Sequence, residues 1–319
     1  MTFAVKIEDL SKDYEVGFWR KRKVRALDGL SLAVSGGQIF GFLGGNGAGK
    51  TTTIKILMSL LFPTSGSAEI LGRCISDVRM HRSIGYCPEN PYFYDYLTAR
   101  ELMNYFGELF GMDTAARTKK TEELLSAVGL EEKSWNKQLR KFSKGMLQRV
   151  GLAQALINDP EIVFLDEPMS GLDPIGRREV RELIAGLRER GTTVFMSTHI
   201  LSDVETLCDE VAIMRGGRLS QTGRLADLLA RDHDRRVFEI TAAGIDPTLV
   251  DVPGAIVVKK GSGVSIEVDD DEDVERVLAY IRGNGGKLIS VQPVKQSLEE
   301  LFLDSRSAEA KSPEAVVSV

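Results

Sequence analysis

Gly44-Gly45-Asn46-Gly47-Ala48-Gly49-Lys50-Thr51 decides how this chain is read. The stretch has the spacing G-x-x-x-x-G-K-[ST]. It follows a short apolar run, Ile39 to Leu43, and opens a segment, Thr51 to Leu61, whose apolar residues recur at helical spacing. Strand, glycine-rich loop and helix in that order make a phosphate cradle. The glycines let the backbone close around an anion, and the amides of the first helical turn face it along the positive end of the helix dipole. The cradle residues are Gly44, Asn46, Gly47, Ala48, Gly49, Lys50, Thr51 and Thr52. Lys50 is expected to reach the β- and γ-phosphates of a nucleotide, and Thr51 to offer its hydroxyl to Mg²⁺, a hard cation that prefers oxygen.

Downstream, Glu161-Ile-Val-Phe-Leu-Asp166-Glu167 sets two carboxylates at the end of an apolar strand, where a doubly wound sheet binds its ligand. Asp166 is the candidate metal ligand. Glu167 is the candidate acceptor of the proton of an attacking water, because phosphoryl transfer needs positioning and charge stabilisation more than covalent help. Carboxylates at a strand end can equally be caps; the phosphate loop upstream favours the functional reading. His199 follows another apolar strand, Thr193 to Ser197, and so falls beside the same site.

The chain has 319 residues, a size for one large domain plus an appendage, and a net charge of -5 with both signs mixed, so nucleic acid is not an expected partner. Its three cysteines, Cys74, Cys87 and Cys208, have neither disulfide-scaffold nor zinc spacing. No apolar run approaches the length of a membrane span. Phe3 to Asp9 and Leu30 to Val34 read as strands of an N-terminal antiparallel layer. Thr98-Ala-Arg-Glu101 is a capping box that opens a helical region reaching about Asp159. Ile162 to Leu165, a helix from Gly176 to Arg190 and Thr193 to Ser197 return to strand and helix alternation, so the class is α/β with a parallel core. Beyond the Gly216-Gly217 turn and a short helix at Leu225 to Leu229, the charged stretch Arg231 to Arg236 reads as a linker. Strands at Val237 to Ile240, Ala255 to Lys259, Val264 to Val268 and Lys287 to Val291, with a helix at Val274 to Gly283, make a small α+β unit.

Phe142-Ser143-Lys144-Gly145-Met146-Leu147-Gln148-Arg149 opens a further amphipathic helix with Ser143 as its N-cap. With the loop, the paired carboxylates, Ser170-Gly171-Leu172-Asp173 and His199, this order resembles the ATPase subunits of ABC transporters, over about Phe3 to Arg224. The resemblance implies a P-loop NTPase fold of ABC ATPase type: a RecA-like core with an antiparallel β layer and a helical subdomain at about 90–160. The expected division is a nucleotide-binding domain at 1–230, an accessory α+β domain at 231–305 and a tail at 306–319. It implies ATP and Mg²⁺ as ligands, a separate transmembrane permease as partner, a place on the inner face of the cell membrane, and a head-to-tail homodimer. In that dimer Ser143 and Gly145 of one copy complete the γ-phosphate site of the other, and Asp173 lies on the seam. Tyr14 takes the place of the aromatic residue that stacks on adenine, with packing as its alternative role.

The chain departs from the family pattern in three places. Gly45 stands where proline is frequent, and Ser-Lys-Gly-Met where Ser-Gly-Gly-Gln is frequent. Glu89 stands in place of the glutamine that links metal, water and permease; a carboxylate can still ligate Mg²⁺ but brings a negative charge close to the γ-phosphate. These variants, with the stretch Tyr86 to Tyr94 and Ser297-Leu-Glu-Glu-Leu-Phe302, look like the branch that serves bacterial ABC-2 type exporters. Tyr92, Phe93, Tyr94 and Tyr96 read either as part of the surface that receives a permease helix or as a buried local cluster. Trp19-Arg-Lys-Arg-Lys23 with Arg25 reads as a solvated basic loop or a contact to anionic lipid. Asp269 to Asp273 reads as a helix-start cap. Asn136-Lys137-Gln138-Leu139 lacks the aspartate of a guanine-specificity motif, which favours ATP over GTP. A soluble ABC ATPase acting on ribosomes or nucleic acid is the competing functional class; a single cassette without sustained heptads speaks against it.

Overall fold

Phe3–Val16 (β1) and Arg22–Ser35 (β2) pair as a long antiparallel hairpin, and Ser65–Ile70 (β4) and Arg73–Cys74 (β5) complete an antiparallel sheet in the order β2-β1-β4-β5. A second sheet runs Arg218–Arg224 (β10), Glu210–Arg215 (β9), Ile39–Gly44 (β3), Thr193–Thr198 (β8), Ile162–Asp166 (β7) and Ile84–Cys87 (β6). All its pairings are parallel except β10 with β9. This computed structural model describes residues 3–17, 22–230, 238–246, 252–253, 255–260, 263–268 and 270–293. It divides into two compact units, Met1–Leu225 and Ala226–Val319.

β3, β7 and β8 are buried at every residue, as strands of a parallel sheet covered on both faces must be. Phe195 on β8 holds the centre of this core, its ring 5.2–5.4 Å from those of Phe40, Phe42 and Phe164. Leu10, Leu27 and Leu30 of the hairpin belong to the same cluster, so the two sheets of the first unit share one core.

Three helices fall within the expected helical region: Ala99–Leu109 (α2), Thr114–Ala127 (α3) and Lys144–Ala155 (α4). Thr98 makes the capping box with Glu101 that its sequence announces, and Ser143 caps α4 through the Met146 amide. Pro174–Glu189 (α5) starts two residues before the expected Gly176. Asp173 is its N-cap and Pro174 its first residue, a position where a missing N–H costs nothing. Leu201–Leu207 (α6) follows β8, and Leu225–Ala230 (α7) follows β10.

The helix after the phosphate loop, Lys50–Leu57 (α1), ends four residues short of the expected Leu61. Ser59 takes the left-handed conformation (φ 56°), its amide donates to Ile56 O and the Leu60 amide to Lys55 O, both at 2.9 Å. That is a Schellman stop made without glycine, which an apolar run does not advertise. Leu60 and Phe62 are left exposed.

The second unit is a four-stranded antiparallel sheet in the order β12-β13-β11-β14 with one long helix. Its strands are Phe238–Ala243 (β11), Ile256–Lys260 (β12), Gly263–Val268 (β13) and Lys287–Pro293 (β14), and the helix is Asp271–Gly283 (α8). Ile240, Ile266, Val268, Val277 and Ile281 form its core. α8 begins three residues before the expected Val274, because Asp270 accepts the Asp273 amide and the acidic run supplies its first turn. Residues 231–237, Trp19 to Lys21 of the basic run and the Ser297 to Phe302 segment lie outside the described residues. Arg25, grouped with that basic run, is not a free cation: its guanidinium pairs with Asp13 and Asp28.

All three cysteines are free thiols. Burial pushes the Cys87 and Cys208 thiols well above the usual range, whereas the Ser76 hydroxyl, donating to exposed Cys74, lowers that one. A maleimide applied to the native chain is expected to label one thiol per molecule, Cys74, and the other two only after unfolding. Fast labelling of Cys87 would place its strand elsewhere.

Candidate functional site

The phosphate loop leaves β3 at Gly44 and enters α1 with no side chain capping the helix. Gly49 is the N-cap at φ 104°, and a Cβ there would lie 2.7 Å from Leu27 Cδ2 and 2.8 Å from Ala26 O. The loop is therefore pressed against the β2 hairpin strand, and only glycine fits. The β9–β10 turn, itself packed on Ala26 and Leu27, braces it as well: the Gly217 amide donates to Ala48 O at 3.2 Å, and Gly217 O accepts from the Asp28 amide at 2.9 Å. Arg218, next in that turn, pairs with the Asp28 carboxylate. A loop held by β2 and by the β9–β10 turn is ordered before a ligand arrives.

Lys50 is 7% exposed, its Nζ donating to Gly44 O at 2.6 Å and lying 3.4 Å from Glu167 Oε1. Glu167 Oε2 is 2.9 Å from His199 Nδ1. One carboxylate thus joins the phosphate-loop lysine to the histidine beyond β8. Thr51 Oγ1 donates to Asp166 Oδ1 at 3.3 Å, which brings the two candidate metal ligands within reach of each other. Glu167 occupies the left-handed region at φ 51°. For a non-glycine residue this costs about 1–3 kcal/mol and persists only where neighbours fix it. Its amide is fixed by β8, donating to both Ser197 O at 3.2 Å and Ser197 Oγ at 3.1 Å.

Lys50, Thr51, Glu167 and His199 line a cleft of about 410 Å³ together with Gly45, Asn46, Gly47, Ala48, Gly49, Thr52, Ala26 and Glu89, whereas Gly44 and the buried Asp166 are not part of its lining. Glu89 is half-buried and shares the cleft with Glu167. Tyr14 sits just outside this lining, its hydroxyl 3.4 Å from Thr52 Oγ1 at the start of α1. Ser143, Gly145 and Asp173 do not line the cleft. Ser143 and Asp173 are exposed helix caps, and Gly145 stands beside the 170–173 turn, a Cβ there falling 3.3 Å from Gly171 O. The Lys144 side chain crosses Gly171 and reaches Ser170 Oγ at 3.5 Å. Tyr92, Tyr94 and Tyr96 are 96%, 56% and 60% exposed, which removes the buried-cluster alternative for these three.

Sequence reasoning passed over Ala26, Gly217, Ser197 and Gln148. Gln148 is fully buried on α4, and its Nε2 donates at 3.3 Å to Pro168 O, so the helix carrying Ser143 is tied to the residue after Glu167. α4 is buried on more than one face, so Gln148, which lies opposite Met146, Val150 and Ala153, carries no sign of its burial in the sequence.

Backbone amides around a buried lysine, with acids delivered by the adjoining parallel strands, define the class: a P-loop nucleotide-binding protein. Residues 27–170 match the family described as ABC transporter, and residues 226–305 match the one described as ATP-binding protein DrrA1-3-like, C-terminal domain. The ABC transporter ATP-binding protein sll0415 of Synechocystis is 44% identical over 301 residues, which are 92% of this chain and 82% of that protein. The bacitracin transport ATP-binding protein BcrA of Bacillus licheniformis is 41% identical over 76% of each chain. Among solved structures, the dimer of the ATP-binding cassette MJ0796 bound to ADP and Pi superposes with a TM-score of 0.65 at 27% identity, covering 69% of this chain and 98% of its own. The chain belongs to the family of ABC transporter ATP-binding subunits. It is an ATP-binding ATPase of the P-loop ABC fold.

Proposed function

We propose that two copies of this chain close head to tail around two Mg-ATP and drive a separate transmembrane permease that exports its substrate. The observation that carries the dimer is the placement of Ser143 and Gly145: a capped helix N-terminus, suited to an anion, that lines no part of the chain's own cleft. A second copy is the natural source of the triphosphate it would complete, and the MJ0796 cassette named above is described as dimeric. Asp173, capping α5 beside Gly145, would then lie on the seam.

In the chemistry we assign, the loop amides and Lys50 hold the β- and γ-phosphates while Tyr14 flanks the base. Glu167 takes a proton from the water that attacks the γ-phosphorus, ADP leaves, and His199 orients Glu167 and contacts the γ-phosphate. Thr51 and Asp166 fit Mg²⁺, with Glu89 as a further oxygen donor. Among the described residues no group of three or more His, Cys, Asp or Glu side chains is spaced to hold a metal alone, which suits an ion that takes one or two protein oxygens and shares the rest with phosphates and water. Bound there, it would neutralise charge on the β- and γ-phosphate oxygens.

The permease is inferred from the family, and among the described residues no helix is long and apolar enough to cross a membrane. Exposed Tyr92, Tyr94 and Tyr96 offer it an aromatic docking surface, on the inner face of the cell membrane. A relative named for bacitracin transport supports our choice of export as the direction. We assign the 231–305 segment to regulating or stabilising the dimer, since it carries no phosphate loop.

Purification of the tagged chain from solubilised membranes is expected to bring down one multi-span protein. Recovery with ribosomes instead would favour the soluble class. Deleting 231–319 is expected to change dimerisation or ATPase rate, and unchanged values of both would refute the role given to that segment.

A further inference from the structure

β8 is apolar through Val194, Phe195 and Met196, and then carries a hydroxyl at 0% exposure, Ser197, directly beside Asp166 in the parallel ladder. A buried hydroxyl must find partners. Those of Ser197 are the two acids: Oγ donates to Asp166 Oδ1 at 2.5 Å and accepts the Glu167 amide at 3.1 Å. We propose that Ser197 is a positioning residue of the metal-nucleotide site, its hydroxyl fixing the Asp166 carboxylate for Mg²⁺ while pinning Glu167 in the backbone conformation that aims it at Lys50 and His199. This rests on the assignment of Mg²⁺ to Thr51 and Asp166 above.

The geometry gives the serine two distinct effects. The hydroxyl has one proton, and it goes to Asp166, so Oδ1 receives two donors, Ser197 and Thr51. The carboxylate is then held against rotation. Groups that orient metal ligands in this way typically change metal affinity or activity 10- to 100-fold when removed. On its other side the same oxygen shares the Glu167 amide with the Ser197 carbonyl. Alanine at 197 keeps the carbonyl and the strand but gives up both links of the hydroxyl.

The test uses the full chain with Ser197→Ala and, as control, Thr193→Ala. Thr193 is a buried hydroxyl at the far end of the same strand that accepts the Gly37 amide at 2.9 Å and touches neither acid. Mn²⁺ binding with AMP-PNP is read by electron paramagnetic resonance, and TNP-ATP binding is read in EDTA. For Ser197→Ala the Mn²⁺ half-saturation is expected to rise about tenfold or more and ATP turnover to fall at least as far, with metal-free TNP-ATP affinity unchanged. Thr193→Ala is expected to leave the Mn²⁺ half-saturation unchanged. The proposal is overturned if Ser197→Ala keeps wild-type Mn²⁺ binding, if its metal-free TNP-ATP binding falls as far as its Mn²⁺ binding, or if the control shifts equally. Thr51→Ala separates the two layers: if it leaves Mn²⁺ binding intact, the metal assignment fails and this proposal with it.

Discussion

Replacing Glu167 by glutamine is expected to cut steady-state ATP turnover by about 10²- to 10⁴-fold, the range that general acid–base catalysis supplies, with ATP affinity little changed. The substitution is nearly isosteric, so the ion pair with Lys50 becomes a dipole contact and the backbone can stay in its left-handed conformation, because the bonds from Ser197 act on the amide. An amide can still orient water but does not take its proton. Phosphate release and nucleotide binding, measured on the same preparation, check this. Wild-type turnover in the variant would remove Glu167 from its role.

Lys50→Ala is expected to act earlier, on binding. The ammonium is almost wholly buried between two loop carbonyls and the Glu167 carboxylate. A triphosphate entering the cleft meets this cation at close range and in low dielectric. Breaking a buried charge pair by removing one partner costs roughly 3–5 kcal/mol, which as a loss of affinity is about 10²- to 4 × 10³-fold at 1.4 kcal/mol per decade. The loss should be seen by equilibrium titration with a fluorescent ATP analogue, and it should persist without metal. Retention of near-wild-type affinity would mean that the loop amides alone hold the nucleotide.

Much of this site could be read before the structure because its parts are local. The glycine pattern fixes its own strand–loop–helix context, and Asp166 and Glu167 end an apolar run whose burial is complete along its length. Thr98, Ser143 and the Asp269 to Asp273 run each announced a helix start, and Thr98, Ser143 and Asp270 each cap one; Asp173 caps α5 without having been read as its start. What stayed hidden is what strand pairing and turn docking bring together from afar. Ser197 meets Asp166 only because β8 lies beside β7, and Gly217 reaches Ala48 only because β9 lies beside β3. β4, reading Ser-Gly-Ser-Ala-Glu-Ile, has little strand character of its own; its pairing with β1 makes it one. The early stop of α1 was missed for the reverse reason: Ile56 to Phe62 is apolar enough to suggest a buried helix, while Ser59 turns the chain out and exposes Leu60 and Phe62.

The central claim is that one copy's Lys50 and the other's Ser143 hold the same triphosphate. The most direct measurement is the molar mass of the Glu167→Gln chain by light scattering, with and without Mg-ATP. The variant is expected to be a monomer that becomes a dimer on adding Mg-ATP, with the shift lost when Ser143 is also replaced by a bulky acidic residue. A Glu167→Gln chain that binds ATP and stays monomeric at every concentration tested would contradict it.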